Sequence, residues 1–179
     1  MNNLMIDIET LGTTVGSVVT QIGAVYFDPI SGEIGTEFKM NIDLEDSLAL
    51  GYDIDAKTLK WWFGQPNEAR MSFLMNPIPT TVDSVLKQLH SFARHATQYW
   101  SHATFDMPML EYLYASEGIQ SPFRYTRTRD IRTAIELSGI DRNKLFGMFK
   151  REGNHHTAVD DCKYQVKYLV HFLNKIKSK

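Results

Sequence analysis

The sequence has little of several features that define whole classes of protein. It has one cysteine, Cys162, which cannot form an internal disulfide and agrees with a reducing compartment. Its 6 prolines and 11 glycines among 179 residues exclude a collagen-like or low-complexity chain. It also lacks the run of about eighteen apolar residues that a membrane span requires, and the basic flank and long apolar stretch of a signal peptide. We therefore expect one cytoplasmic domain over residues 1–179, with no membrane partner.

Charge is unevenly distributed along a chain whose net charge is only -2. Residues 1–60 carry ten acidic and three basic side chains, a net charge of -7, whereas residues 124–151 carry eight basic and three acidic ones, a net charge of +5. A metal-dependent enzyme that acts on a phosphodiester needs clustered carboxylates beside a basic surface. An ordinary solvated surface has the same pattern, so charge alone leaves both interpretations open.

Hydrophobic patterning predicts an α/β domain with a mixed sheet. In the segment 4–9, apolar residues alternate with Asp7 and Glu9, which is the period of a strand and places both acids on one face. The next two strands have β-branched and aromatic composition, and turn residues join them, so the first three strands are expected to be antiparallel. The second and third strands are predicted at 18–28 and 35–42, and a further short strand is predicted at 98–102.

Helices are predicted where apolar residues recur at helical spacing behind a capping residue. In one of them Val82, Val85 and Leu86 share a face, and Thr80 or Thr81 can cap the first turn. The predicted helices span 55–63, 66–75, a segment from 80 or 81 to beyond 92, 106–116, 130–137, 141–149 and 157–175.

Four carboxylates and a histidine form the candidate catalytic group. Asp7 and Glu9 lie near the end of one strand, where both can reach the same hard cation. Asp106 stands at a second strand-to-helix junction, and His156 lies at the start of the last helix, five residues before Asp161. An Asp-x-Glu pair alone is weak support for a metal site, since exposed acids on strands are common. Each further member of the group makes a chance pattern less probable.

Phosphodiester hydrolysis gives a chemical reason to group these residues. Two divalent ions about 3.5 to 4 Å apart hold the attacking water and stabilise the leaving oxygen, and several carboxylates neutralise them. Mg²⁺ prefers oxygen ligands and retains waters, so this set suits it better than zinc. A histidine outside the metal shell, with a reference pKa of about 6.5, can take the proton of the water near neutral pH.

At these residues the sequence resembles the DEDDh family of 3′-5′ exonucleases, the proofreading, RNase T and oligoribonuclease kind. The matching motifs are DIET, TFD and HTAVDD, the last of which fits the family pattern H-x-A-x-x-D. The sister class with tyrosine is disfavoured because His156 occupies the base position. The resemblance implies a ribonuclease-H-like fold with a central mixed five-stranded sheet flanked by helices. It also implies two Mg²⁺ ions, for which Mn²⁺ can substitute, and release of nucleoside 5′-monophosphates from a 3′ end.

The same resemblance assigns a role to each member of the group. Asp7, Glu9 and Asp161 would bind the first ion, and Asp7 and Asp106 would lie around the second. His156 would be the general base.

Longer segments look like the RNase AS branch, which includes phage-encoded exonucleases. They are DIETLGT, SVVTQIGAVYFDPISGEIG, IDAKTLKWWFGQ and the element at 130–133. The likeness implies a single-stranded RNA substrate, a leaning to adenylate 3′ ends, and a homodimer. The chain departs from the pattern at 101–104, where Ser-His-Ala-Thr replaces the Asn that many members carry before Phe-Asp. How the terminal sugar is held is therefore left open.

Several candidates for contact with nucleic acid have a structural alternative. Leu11 matches the position where relatives place an apolar side chain against the terminal bases, and Phe105 could stack similarly, yet both could be core residues. Of Trp61 and Trp62, one should border the groove and the other should be core. The full set of candidate contacts is Thr10, Leu11, Trp61, Gln65, Phe105 and Arg132.

Other charged neighbours have weaker claims. Arg129 and Arg132 are candidates for phosphate or partner-subunit contact, although a surface role fits any single arginine. His155 is a rival base whose spacing to Asp161 does not fit the family pattern. Asp160 is better explained as a helix-N-terminal carboxylate than as a ligand.

Four functions follow from these observations. The favoured one is a metal-dependent 3′-5′ exoribonuclease, and the nearest alternative keeps the chemistry but takes DNA. A catalytically silent nucleic-acid-binding module is less favoured because all five residues are intact. A structural or protein-interaction domain would show no Mg²⁺-dependent change in thermal stability.

Overall fold

A five-stranded mixed sheet organises the protein. The computed structural model describes residues 1–74, 78, 80–141 and 147–178. The strands are β1 (Asn3–Thr10), β2 (Val19–Phe27), β3 (Ile34–Asn41), β4 (Gln98–Ser101) and β5 (Thr128–Asp130). The helices are α1 (Leu44–Ala49), α2 (Ala56–Phe63), α3 (Asn67–Leu74), α4 (Val82–Ala93), α5 (Asp106–Ser116), α6 (Ile131–Ser138) and α7 (Ala158–Lys177), with a short 3-10 turn at Tyr125–Arg127.

The strand order, β3-β2-β1-β4-β5, brings three strand ends together. β1, β2 and β3 pair in antiparallel fashion, which confirms the predicted antiparallel group. β4 and β5 run parallel to β1, so the carboxyl ends of β1, β4 and β5 meet at one edge of the sheet. Residues that follow these three ends therefore face a common space.

The two faces of β1 belong to different hydrophobic cores. Leu4, Ile6 and Ile8 join the core beneath α4 and α5, whereas Met5 joins the core beneath α6 and α7. Since side chains alternate along a strand, the acids at positions 7 and 9 lie on the α7 side. All eight residues of β1 are buried, so these acids are buried too.

Gly23 on β2 allows α7 to approach the sheet. It pairs with Asp7 in the ladder, and a Cβ there would stand 2.3 Å from the backbone carbon of Ala158. The backbone N–H of Ala158 donates to Oε1 of Gln21 at 2.7 Å. The first turn of α7 is thus held directly over β2, beside the strand that carries Asp7.

Capping explains where two predicted helices begin. The carboxylates of Asp55 and Asp130 accept from the backbone N–H of Thr58 and Thr133, at 2.8 and 3.0 Å. Each aspartate is therefore a cap, and α2 and α6 start one residue later than predicted. The predicted helix at 157–175 runs from 158 to 177, and the one at 106–116 has the predicted bounds.

Two observed elements were not predicted. β5 has three residues, which is too short to display a strand period, and its last residue was assigned to the following helix. α1 has six residues and depends on the cap by Asp43, whose carboxylate accepts from the N–H of Asp46 at 2.9 Å. Most of the predicted helix at 141–149, and the last residue of that at 66–75, lie outside the described residues. In the described part of the chain, no helix combines the length and apolarity needed to cross a membrane.

Candidate active site

The predicted catalytic residues converge on one cavity at the sheet edge. The cavity has a volume of about 290 Å³, and all five predicted residues line it. Asp7 and Glu9 are 8% exposed and Asp106 is 1% exposed. Ligand atoms lie within 4.8 Å of one another in two groups, which are Asp7, His102 and Asp106, and Glu9, His156 and Asp161.

Two hydrogen bonds fix the orientation of the deepest carboxylates. Nε2 of Gln165 donates to Oδ1 of Asp7 at 2.7 Å, from a position one turn beyond Asp161 on α7. The backbone N–H of His102 donates to Oδ2 of Asp106 at 2.8 Å. Each bond thereby holds one carboxylate oxygen in place at the wall of the cavity.

Burial and mutual repulsion make these carboxylates costly to ionise without a cation. Burial raises the pKa of Asp7 to about 7, although the bond from Gln165 opposes the shift. Burial, followed by the charges of Asp7 and Asp106, also raises the pKa of Glu9. The pKa of Asp106 is raised by burial and then by Asp7. A divalent cation would offset this charge, and the mainly oxygen donor set fits a hard cation.

The ring of His156 is held against aromatic neighbours. It meets Trp61 edge-on, with centroids 4.8 Å apart and planes at 82°, and its backbone has a φ of 59°. Burial, then the charges of His155 and Arg151, lowers the pKa of His156 to about 4. The imidazole is therefore neutral at neutral pH, the state that a general base requires.

Arg151, one of the eight basic residues in the segment 124–151, also lines the cavity. Its Nη2 forms an ion pair with Oδ1 of Asp161, and its guanidinium carbon lies 4.8 Å from the centroid of the Tyr164 ring. Its charge also opposes the raised pKa values of Asp7 and Glu9. A net charge over a segment predicts a basic surface but not which side chain turns into the cavity, so no local signal singled out this arginine.

Arg151→Gln is expected to strengthen metal binding. The guanidinium pairs with a carboxylate that a cation would use, so its charge competes with the cation for that carboxylate. Loss of this competing charge should lower the apparent Kd for Mg²⁺ at least about fivefold, as measured by calorimetry. It should also lower the melting temperature in EDTA, because repulsion among the carboxylates is then unopposed. Lys150→Gln, a neighbouring charge outside the cavity lining, is the control. Equal or weaker Mg²⁺ binding by the Arg151 variant would refute the competition.

A second cavity adjoins the first at Glu9 and Phe105. It has a volume of about 510 Å³, and Thr10 and Trp61 contribute to its lining. Trp61 is 47% exposed, whereas Trp62 is 2% exposed and donates through Nε1 to the backbone oxygen of Thr10 at 2.8 Å. Both tryptophans line this cavity, and Trp61 is the one whose side chain is largely exposed there, which the sequence left undecided.

Three other predicted contacts lie in different surroundings. Arg132 lines the carboxylate cavity and donates to the Thr104 hydroxyl at 3.3 Å. Leu11 is 2% exposed and belongs to the hydrophobic core, and Gln65 donates to the backbone oxygen of Trp61 at 3.2 Å. Among the described residues, Leu11 and Gln65 line neither of these two cavities.

Two residues with weaker claims also have defined positions. Asp160 accepts from the backbone N–H of Asn154 at 2.9 Å, so its carboxylate steadies the loop before α7. His155 lines the carboxylate cavity beside His156, with ring centroids 4.9 Å apart.

Proteins similar to this chain are nucleases. The sequence model of the 3′-5′ exoribonuclease Rv2179c-like domain matches residues 2–173. The exodeoxyribonuclease of Enterobacteria phage T4 is 26% identical over an alignment of 209 positions. This alignment covers 95% of this chain and 91% of that protein.

Solved structures share the fold at low sequence identity. The nuclease domain of 3′hExo, a DEDDh family member bound to rAMP, has a TM-score of 0.68 at 14% identity, covering 96% of this chain and 91% of that chain. Exonuclease X in complex with 5′ overhanging duplex DNA has a TM-score of 0.63 at 17% identity, with 96% and 91% covered. The expected ribonuclease-H-like fold, with helices flanking a mixed five-stranded sheet, is thereby confirmed.

Proposed function

The chain belongs to the Rv2179c-like 3′-5′ exoribonuclease domain family and is a 3′-5′ exonuclease of the DEDDh type, and we propose that it removes nucleotides from single-stranded RNA with two Mg²⁺ ions. The observation that carries this proposal is the pair of adjoining ligand groups in one cavity, one of which includes His156. This membership and the intact acidic site favour an enzyme over the two non-catalytic alternatives.

The carboxylates would hold the cations. Glu9 and Asp161 approach one another in one group, and Asp7 and Asp106 in the other, which is compatible with two adjacent ions. His102 offers a further ligand nitrogen to the second group. Bound cations would neutralise the negative charge and lower the pKa of a bound water. Mn²⁺, which also accepts oxygen ligands, is expected to substitute.

His156 would act as the general base. Its neutral imidazole can accept a proton from water, and its contact with Trp61 restricts the orientation of the ring. Gln165 and the N–H of His102 would keep Asp7 and Asp106 in place while charge develops on the phosphate.

The terminal nucleotide would occupy the adjoining cavity. Trp61 and Phe105 supply aromatic faces for a base, and Thr10 lies beside them. Arg132, in the carboxylate cavity, would contact a phosphate. Four further expectations stay predictions: a single domain over 1–179, a homodimer, adenylate preference and a cytoplasmic location.

DNA is the second candidate substrate, because the phage T4 relative, which covers 95% of this chain, is an exodeoxyribonuclease. Strands of equal length and sequence, labelled at the 5′ end, distinguish the two. We expect a Mg²⁺-dependent ladder that shortens from the 3′ end, formed at least about tenfold faster on RNA than on DNA, and no ladder in EDTA. A faster reaction on DNA would reverse the substrate assignment, whereas no shortening with Mg²⁺ or Mn²⁺ would remove the proposed function.

A further inference from the structure

Another cavity, of about 290 Å³, lies away from the two described above and is lined by basic residues. We name it the basic pocket and define it by His90, Arg94, Arg124 and Arg127, which line it together with neutral residues. Arg94 follows α4, while Arg124 precedes the 3-10 turn before β5 and Arg127 is the last residue of that turn. Three guanidinium groups from two separate segments thus converge on one cavity, and no acidic residue contributes to its lining.

The positive charge of this pocket lacks an internal counter-charge. In the described ranges, the ion pairs of the protein involve other basic residues and none of these three arginines. Arg94 donates instead to Nε2 of His95 at 3.0 Å, and Arg127 donates to the backbone oxygen of Ala96 at 3.5 Å. Neither acceptor is charged negatively, so the guanidinium groups are available to pair with an external anion.

An exposed aromatic ring lies within the same segment. Tyr125, between Arg124 and Arg127, is 87% exposed, more than any other large hydrophobic residue in the described part of the chain. A free phosphate would engage the arginines but gives no reason for this ring. A single-stranded nucleic acid engages both, since phosphates bind arginine and bases stack on aromatic faces.

The pocket lies at the opposite end of β5 from the carboxylates. Arg127 precedes β5 and Arg132, which lines the carboxylate cavity, follows it. At about 3.3 Å per residue, the distance along the chain from Arg127 to Arg132 is on the order of 15 Å. A strand whose 3′ end lies at the carboxylates can therefore place nucleotides further upstream at the basic pocket.

We propose that the basic pocket and Tyr125 form an upstream subsite for single-stranded nucleic acid. The arginines bind internal phosphates of the substrate, and Tyr125 stacks on a base. This subsite rests on the proposed function, because its ligand is the strand that the catalytic centre shortens. It adds affinity for long strands and leaves the hydrolytic step unchanged.

The test compares a strand of about twelve nucleotides with a dinucleotide that has the same 3′ end. In the Arg94→Gln, Arg124→Gln, Arg127→Gln triple variant, the KM for the long strand should rise at least about tenfold, with kcat retained. Loss of three contacts should reduce the slope of log affinity against log salt by about 2. Dinucleotide hydrolysis should be unchanged. Tyr125→Ala should weaken binding of the long strand at least about fivefold, and Tyr125→Phe should retain it.

A matched control separates the subsite from general charge. Lys39, Lys175 and Lys177 are exposed and lie on other surfaces, and their triple change to Gln removes the same charge. Strand binding by fluorescence anisotropy in EDTA tests the subsite even if the wild type proves inactive, so the two proposals can fail separately. The subsite is overturned by any of three results: an unchanged salt slope, an equal loss in the lysine control, or an equal loss on the dinucleotide. A changed sedimentation coefficient without weaker strand binding would instead make this surface a contact between copies of the chain.

Discussion

Asp7→Asn is expected to reduce kcat by about 10³-fold or more while leaving the fold intact. Asp7 is the only carboxylate that the family resemblance assigns to both cations. Loss of such a ligand removes several kcal/mol of transition-state stabilisation. Asparagine has nearly the same shape and keeps an oxygen that can accept from Gln165. The defect should therefore be chemical rather than structural. Single-turnover assays with saturating Mg²⁺ measure it.

The same variant should be more stable than the wild type in EDTA. Burial raises the pKa of Asp7 from an unfolded value of about 3.9 to about 7 in the folded protein. Because this pKa is raised, the favourable contribution of Asp7 to the free energy of unfolding is present below about pH 4 and is lost as the pH rises to about 7. The variant removes that titration, so its melting temperature in EDTA should exceed that of the wild type at pH 8. Added Mg²⁺ should narrow or reverse the difference, because the wild type regains stability from the bound cations.

Asp83→Asn supplies the control for a lost surface charge. Asp83 pairs with Lys87 on the exposed side of α4, so its substitution should leave both kcat and the response to Mg²⁺ unchanged. If Asp7→Asn retained the wild-type rate, the assignment of the metal site would be wrong. If it melted at a lower temperature than the wild type in EDTA at pH 8, the carboxylate would be stabilising rather than strained.

Local patterns in the sequence predict those parts of the site that lie within single elements. The alternation in β1 predicts that Asp7 and Glu9 share a face, and the position of Met5 in the core beneath α7 confirms it. The strand-to-helix junction predicts Asp106 at a helix start, which is where α5 begins. Such features depend on residues a few positions apart, so a short window contains them.

Contacts between distant elements left no comparable signal. Gln165 belongs to no motif, and its bond to Asp7 exists only because α7 packs across β1. That packing depends in turn on the missing Cβ of Gly23, whose neighbour Ala158 is far along the chain. The choice between Trp61 and Trp62 likewise follows from how α2 lies against β1, which the helical period does not determine.

His156→Ala is expected to lower kcat by about 10² to 10⁴-fold, the range for loss of a general base. The nearby ligand atoms of Glu9 and Asp161 make a second role, as a metal ligand, geometrically possible. The two roles differ in what the substitution does without substrate. A base contributes nothing to cation affinity, so the variant should keep the Mg²⁺-induced rise in melting temperature, whereas loss of a ligand would diminish it.

The adjacent histidine completes this test. His155 also lines the cavity, but it lies one residue further from Asp161 than the family pattern requires. His155→Ala should therefore retain at least about a third of the wild-type kcat. Lost activity in both variants would leave the base unassigned between them, and lost activity in His155→Ala alone would move the role to His155. If the His156 variant lost both rate and Mg²⁺ response, His156 would be a ligand of the cation. Retained Mg²⁺ response with a large loss of rate is the outcome that the neutral imidazole, held edge-on against Trp61, supports.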